Sequence, residues 1–186
     1  MKWHKLGNIF NPAEYPDWLY SYGAVPFIGD INKNLVKVYF TGRDANNKSG
    51  IHWAIFDFEN NYKLIELSTS SILELGKLGT FDEDGVMGCQ IFHRGNEKFL
   101  YYQGWNLSIS TPFRNSIGLA LYNEKMGQFE KMYNGPILDR SIHDNCFVAT
   151  PNVFELAKNK YLMYYLSCDS WEEGLVNPIH KYNINI

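Results

Sequence analysis

Cysteine is scarce in this chain, and basic charge is never gathered into runs. The 17 lysines and arginines form no block, and against 20 acidic residues they leave a formal net charge of −3. That balance argues against a nucleic-acid or anionic-membrane partner. Three cysteines, Cys89, Cys146 and Cys168, are too few and too widely spaced for a disulfide framework or a zinc site, and they read as buried thiols of a reducing compartment. No apolar stretch approaches membrane-spanning length, and the opening Met1–Trp18 holds no apolar core of signal-peptide size, so the chain reads as cytoplasmic. Helical periodicity is lacking too. Only Ser70–Leu78 allows two turns of 3.6-residue spacing, and it reads as a loop. The histidines His4, His52, His93, His143 and His180 have no metal-ligand spacing; no metal and no cofactor are expected.

What the chain has in abundance is aromatic residues, 16% of the total within 45% hydrophobic, which suits an all-β protein. They recur. The run KFLYYQGW (Lys98–Trp105) has near copies in VKVYFTGRD (Val36–Asp44) and KYLMYYLSCDSW (Lys160–Trp171); Phe40 to Tyr102 is 62 positions and Tyr102 to Tyr165 is 63. Ahead of the later copies, Ile72-Leu73 and Ile137-Leu138 lead through acidic patches into apolar strands. Behind the first two copies, IHWAIFDF (Ile51–Phe58) and SIGLALYN (Ser116–Asn123) precede YKLIELS (Tyr62–Ser68) and QFEKMYN (Gln128–Asn134). Each unit is therefore four short strands, and such a sheet cannot bury its own apolar face without a stacked neighbour.

The expected architecture is a β-propeller of four-stranded antiparallel blades within one domain, 1–186. Blade 1 covers about 24–68, blade 2 about 72–134, and an incomplete blade 3 about 137–186 ends after the strand IHKYNINI. Residues 1–18 form an entry arm, cut into extended pieces by Pro12 and Pro16 and without a partner in blade 1. The arm is expected to add a strand to the last blade through Trp3, Leu6, Ile9 and Phe10. Only about 2.6 units of this period fit between Ala24 and Ile186, whereas propellers close with about four to eight blades. Either the chain is part of a longer protein, or several copies assemble, or a sandwich shows accidental similarity; the first is expected. The open blade edge would then favour self-association.

The motifs FTGRD (Phe40–Asp44), GTFDEDGV (Gly79–Val86), LYYQGW (Leu100–Trp105), IGLA (Ile117–Ala120), GPIL (Gly135–Leu138) and FVATPNVF (Phe147–Phe154), in this order and spacing, resemble the five-bladed β-propeller glycosidases and glycosidase-like proteins. That superfamily includes arabinanases, levansucrases and invertases, and the closest resemblance is to bacterial members found near polysaccharide synthesis. The resemblance implies two further blades and a carbohydrate substrate or ligand in an axial funnel. Glycoside cleavage needs two carboxyl groups flanking the scissile bond, and the family adds a third.

Asp82, Glu83 and Asp84 before the inner strand of blade 2, and Asp144 before that of blade 3, stand where such groups are required; Asp82 to Asp144 is 62 positions. The candidate catalytic residues are Asp82, Asp84 and Asp144, with a solvated turn as the plainer reading of the cluster. The family's base and acid positions, however, hold Gly23-Ala24 and Ala149-Thr150, leaving Asp17, Asp44 or Asp144 to substitute. Trp105, Trp171 and the pair Arg43-Asp44 end equivalent strands and would share one rim, offering flat faces and a guanidinium fork to a sugar. A tryptophan there either meets ligand or wedges between blades, and Arg43-Asp44 either binds or braces a turn. His143, beside Asp144, is the histidine expected near the funnel. Three readings compete: a glycan-acting enzyme, a sugar-binding propeller without catalysis, and a structural or interaction propeller.

Overall fold

The computed structural model describes residues 2–15 and 19–186. Apart from a 3-10 turn at Pro12–Glu14, the regular elements of these residues are strands, and the protein is all-β. Three antiparallel meanders follow one another. The first holds β1 (Ser21–Asn32), β2 (Leu35–Arg43), β3 (Ser49–Asp57) and β4 (Lys63–Leu67). The second holds β5 (Gly85–Arg94), β6 (Glu97–Asn106), β7 (Arg114–Asn123) and β8 (Gln128–Lys131). The third holds β9 (Phe147–Ala157), β10 (Lys160–Glu172) and β11 (Ile179–Asn185). A single parallel pair, Ser49 with Gly85, joins the first two into a continuous eight-stranded sheet, while β11-β10-β9 stands as a separate sheet.

The strand positions follow from alternation and turn chemistry. In β3, Ile51, Ala54 and Phe56 are buried while Trp53 and Ile55 are half-buried, as a pleated strand between two layers requires. Asp57 ends that strand by accepting the backbone N–H groups of Glu59 and Asn60, and Asn61 and Tyr62 take positive φ to turn the chain. The repeated Ile-Leu pairs have a shared job. The N–H of Ile72 donates to the carbonyl of Ile51, and the N–H of Ile137 donates to the carbonyl of Ile117, so each connecting segment docks back on the third strand of the meander it leaves. Ser70–Leu78 is loop, as its weak periodicity indicates.

Each first strand carries an extra residue against its partner at an equivalent place, with two further register shifts in β1 and one in β9. Ala24 pairs with Thr41 and Phe27 with Tyr39; Gly88 pairs with Tyr102 and Gln90 with Tyr101; Ala149 pairs with Leu166 and Asn152 with Tyr164. These are β-bulges, and at two of them a β-branched residue sits at positive φ, Val25 at 49° and Thr150 at 46°, a sparsely populated conformation. The first strands pack beside one another. A Cβ on Gly88 would come within 2.7 Å of the Phe27 ring. The Gln90 side-chain amide bonds both the N–H and the carbonyl of Val153, at 2.6 and 2.9 Å, as a neighbouring strand would.

Burial falls into three layers. Between the first two meanders lie Ile51, Leu73, Val86, Leu100, Tyr102, Ala120 and Phe129. Phe147, Ala149 and Cys168 of the third meander pack with Phe113 and Trp171. On the far face of the first meander Leu19, Phe40, Ala54 and Phe56 are covered by Phe10 and Tyr15. This last layer corrects the expectation for the arm. Among its described residues it forms no strand, and its partner is the first meander itself: the Phe10 ring lies 5.0 Å from both Tyr15 and Phe40. The cause is the apolar face of β2 and β3, which water would otherwise meet; burying one phenylalanine contributes about 1.5–3 kcal/mol. Trp3, Leu6 and Ile9 stay exposed. Pro16 lies outside the described residues.

Candidate functional site

Asp82 and Asp144 perform the same structural task in successive meanders. Asp82 is 1% exposed. Its carboxylate accepts hydrogen bonds from the Tyr102 hydroxyl at 3.0 Å and the Thr80 hydroxyl at 3.0 Å, and it is ion-paired with the Lys131 ammonium at 2.6 Å. Burial, and then the adjacent carboxylate, push the Tyr102 phenol far above its ordinary pKa. Asp144 is 2% exposed and accepts from the Ser141 hydroxyl at 2.7 Å. Burial works against its ionisation, but the polar side chains of Ser167, Ser141, Tyr165 and Asn185 around it outweigh burial and hold its pKa below the usual carboxylate range.

Asp82 thus ties the loop before a first strand to the second aromatic of the repeated run, Tyr102, and Asp144 lies beside the equivalent Tyr165. In the first meander that aromatic is Phe40, and the buried residue beside it is Leu19. Packing repeats as well: a Cβ on Gly42 would strike Leu19, and one on Gly104 would strike Asp82 and Phe81. Lys131 lies on β8, so Asp82 faces the outer strand of its meander, away from β1 and β9. Both oxygens of Asp82 are engaged within the fold, although it also lines a hollow of about 590 Å³ with Thr80 and Lys131; in Asp144 Oδ2 is engaged while the buried Oδ1 makes no hydrogen bond of ordinary geometry.

The remaining carboxylates near this end are also occupied. Asp44 accepts from the N–H groups of Asn46 and Lys48, both at 2.9 Å, and so closes the β2–β3 turn. Asp84 accepts from the Leu107 N–H at 2.8 Å and lies 3.7 Å from the Lys48 ammonium, bridging the first two meanders. Asp17 lies outside the described residues. His143 is exposed, and its backbone N–H donates to the Ser141 hydroxyl. Among the described residues, no three of His, Cys, Asp and Glu converge as a metal site would need.

Arg43 and Trp105 do meet, at the ends of β2 and β6. The guanidinium lies 5.1 Å from the Trp105 ring centroid and 5.2 Å from that of Tyr22, a double cation–π contact, and it donates to the Asn47 side-chain carbonyl at 2.6 Å. Trp105 is both wedge and wall. It is 6% exposed, its indole N–H donates to the Ser49 hydroxyl at 2.6 Å, and it closes over Gly85, where a Cβ would come within 2.0 Å of the indole nitrogen.

Beside them opens a cleft of about 390 Å³ lined by Arg43, Asn47, Met87, Gln103, Trp105, Leu107, Pro112, Phe113 and Asn115. A second hollow of about 190 Å³ shares Met87, Gln103, Phe113 and Asn115, and runs on to the bulge residues Val25, Cys89 and Thr150 of the three first strands. The Gln103 side-chain carbonyl accepts from the Thr150 N–H at 3.3 Å. Trp171 does not reach Arg43; it stacks edge-on against Phe113 at 5.3 Å, in a cluster with Phe147 and His180. Phe113, absent from the sequence candidates, is therefore the link between the two ends of the rim. Gln103, Asn115 and Tyr22 were equally unsignalled, because an amide or a ring in one strand has no distinguishing spacing.

No family model matches the sequence. The chain is 35% identical over 174 residues to two Mycobacterium tuberculosis proteins, uncharacterized protein MT1551 of strain CDC 1551 / Oshkosh and uncharacterized protein Rv1502 of strain ATCC 25618 / H37Rv. The match covers 94% of this chain and 58% of each relative. The chain thus spans a little over half the length of the curated relatives it matches.

Proposed function

We propose that the three meanders are blades of a glycosidase-like β-propeller and that the chain binds carbohydrate in the Arg43–Trp105–Phe113 cleft without itself supplying acid–base catalysis. The propeller reading is supported by the repeated meander, by the side-by-side first strands and by the matching bulges at Val25, Cys89 and Thr150. The binding reading rests on one observation. At the ends of β2, β6 and β7, a cleft presents two rings, three side-chain amides and a guanidinium, the mixture that stacks on a sugar face and bonds its hydroxyls.

Against catalysis stand the oxygens of Asp82, already bonded within the fold, the burial of Asp144 at 2% exposure, and the neutral residues Ala24 and Ala149 on the first strands. Acid–base cleavage needs two carboxyl groups whose environments push their pKa values apart across a shared substrate. The test is a titration of oligosaccharides followed by tryptophan fluorescence together with assay for released sugar. Saturable quenching weakened in Phe113→Ala, without turnover, is expected. Absence of saturable binding, or turnover abolished by Asp82→Asn, would contradict the proposal.

A further inference from the structure

Arg43 has an unusual setting for a cation held between rings. Its guanidinium is stacked between Trp105 and Tyr22 and steadied by the Asn47 amide, yet among the described residues no carboxylate lies within 4 Å of it; the ion pairs found there use other cations. Among the described residues, no Asp or Glu lines the cleft either. The two acids closest in sequence or at the neighbouring strand end are committed elsewhere, Asp44 to its own turn and Asp84 to Leu107 and Lys48. Guanidinium carries five N–H donors in a planar fork, and one contact with Asn47 leaves most of them unspent. Among the described residues, the cleft thus holds one formal charge, positive, preorganised by stacking and without a counter-ion.

We infer that the sugar taken by this cleft carries a carboxylate, as a uronic acid does. This rests on the carbohydrate reading above and narrows it. A planar carboxylate meets the Arg43 fork in two parallel charge-assisted hydrogen bonds. The pyranose ring then lies against Phe113 and the exposed edge of Trp105, and its hydroxyls fall to the Gln103 and Asn115 amides. A volume of about 390 Å³ accommodates one or two sugar rings, within the usual size of small-ligand sites. A neutral sugar would leave the guanidinium facing the ligand without its matching charge.

The experiment compares oligogalacturonides of two and three residues with their carboxyl-reduced counterparts, which keep the same linkage and stereochemistry, using calorimetry on the whole chain. A sulfated disaccharide serves as a second anion, and melting temperatures check that each variant folds. The acidic series is expected to bind about 10-fold or more tightly than the reduced series, as charge-assisted hydrogen bonds permit. That preference should vanish in Arg43→Gln, survive in part in Arg43→Lys, and shrink with added salt. Equal binding of the two series, or a preference that persists in Arg43→Gln, overturns the inference and leaves the carbohydrate reading standing. Tighter binding of the sulfated probe than of the uronides also overturns it, in favour of sulfate recognition. Failure of every probe to bind overturns both.

Discussion

Replacing Asp82 separates a structural carboxylate from a catalytic one by stability alone. Its side chain is 2% exposed and that of Lys131 is 21% exposed. Breaking a buried pair by removing one partner costs about 3–5 kcal/mol. The partial exposure of Lys131 lets water solvate its ammonium, which puts Asp82→Leu near the lower end for the ion pair. The buried Tyr102 hydroxyl, left without its acceptor, adds about 1–3 kcal/mol. Asp82→Leu should therefore destabilise by about 4 kcal/mol in urea unfolding, read as a lower midpoint at unchanged slope. The first meander shows the compensating arrangement, Leu19 against Phe40. Exchanging both partners for apolar groups of similar shape is often nearly neutral, so Asp82→Leu/Tyr102→Phe/Lys131→Met should recover most of the loss. A single variant costing under about 1 kcal/mol, or a triple variant no more stable than the single, would refute the reasoning.

Three further outcomes follow. Burial depresses the His52 pKa from 6.5 to about 4, partly offset by a backbone hydrogen bond at Ser70; below pH 6.5 the unfolded chain gains a proton that the fold refuses. Stability should fall between pH 6.5 and 4 by up to about 3 kcal/mol from this group, and His52→Gln should flatten that part of the profile in pH-dependent denaturation; an unchanged profile rejects the assignment. In Gly118→Ala the new Cβ would lie 2.2 Å from the Tyr102 ring, so a loss of about 1–3 kcal/mol is expected, measured by thermal melting; a neutral effect would show that the ring has room to move. β11 is an edge strand whose Ile179, Tyr182 and Ile184 are exposed, so concentration-dependent association is expected by sedimentation, reduced in Ile184→Lys; a strict monomer at high concentration contradicts it.

Much of the fold was legible because sheet meanders advertise themselves locally. The 62- and 63-residue recurrence of Phe40, Tyr102 and Tyr165 falls on β2, β6 and β10, and the connecting Ile-Leu pairs mark real hydrogen-bonded returns. The bulges at Val25, Cys89 and Thr150 were not legible, since one extra residue only shifts an alternation that neighbouring half-buried positions already blur. Phe10 was misjudged because its partner, the Phe40–Phe56 face, is set by tertiary packing and leaves no trace in the arm. The aspartates are ambiguous in sequence for a physical reason: a ring of axial carboxylates and a repeated internal brace give the same spacing. The signal that distinguishes them lies in the partner, a tyrosine hydroxyl at 102 and 165 beside an aspartate, and a bare Phe40 beside Leu19. Arg43 and Trp105 could be named from strand ends, but Phe113, which joins them to Trp171, sits on the β6–β7 connection with no repeat to flag it.

The most direct test of ligand binding in this cleft is a side-chain and amide NMR titration with a di-galacturonide, supplemented by assay for released monosaccharide. Shifts should concentrate on the Arg43 guanidinium, the Trp105 indole, the Phe113 ring and the Gln103 and Asn115 amides, with no product formed. Shifts centred instead on Thr80, Asp82 and Lys131 or on Ser141 and Asp144, or hydrolysis lost in Asp82→Asn or Asp144→Asn, would contradict it.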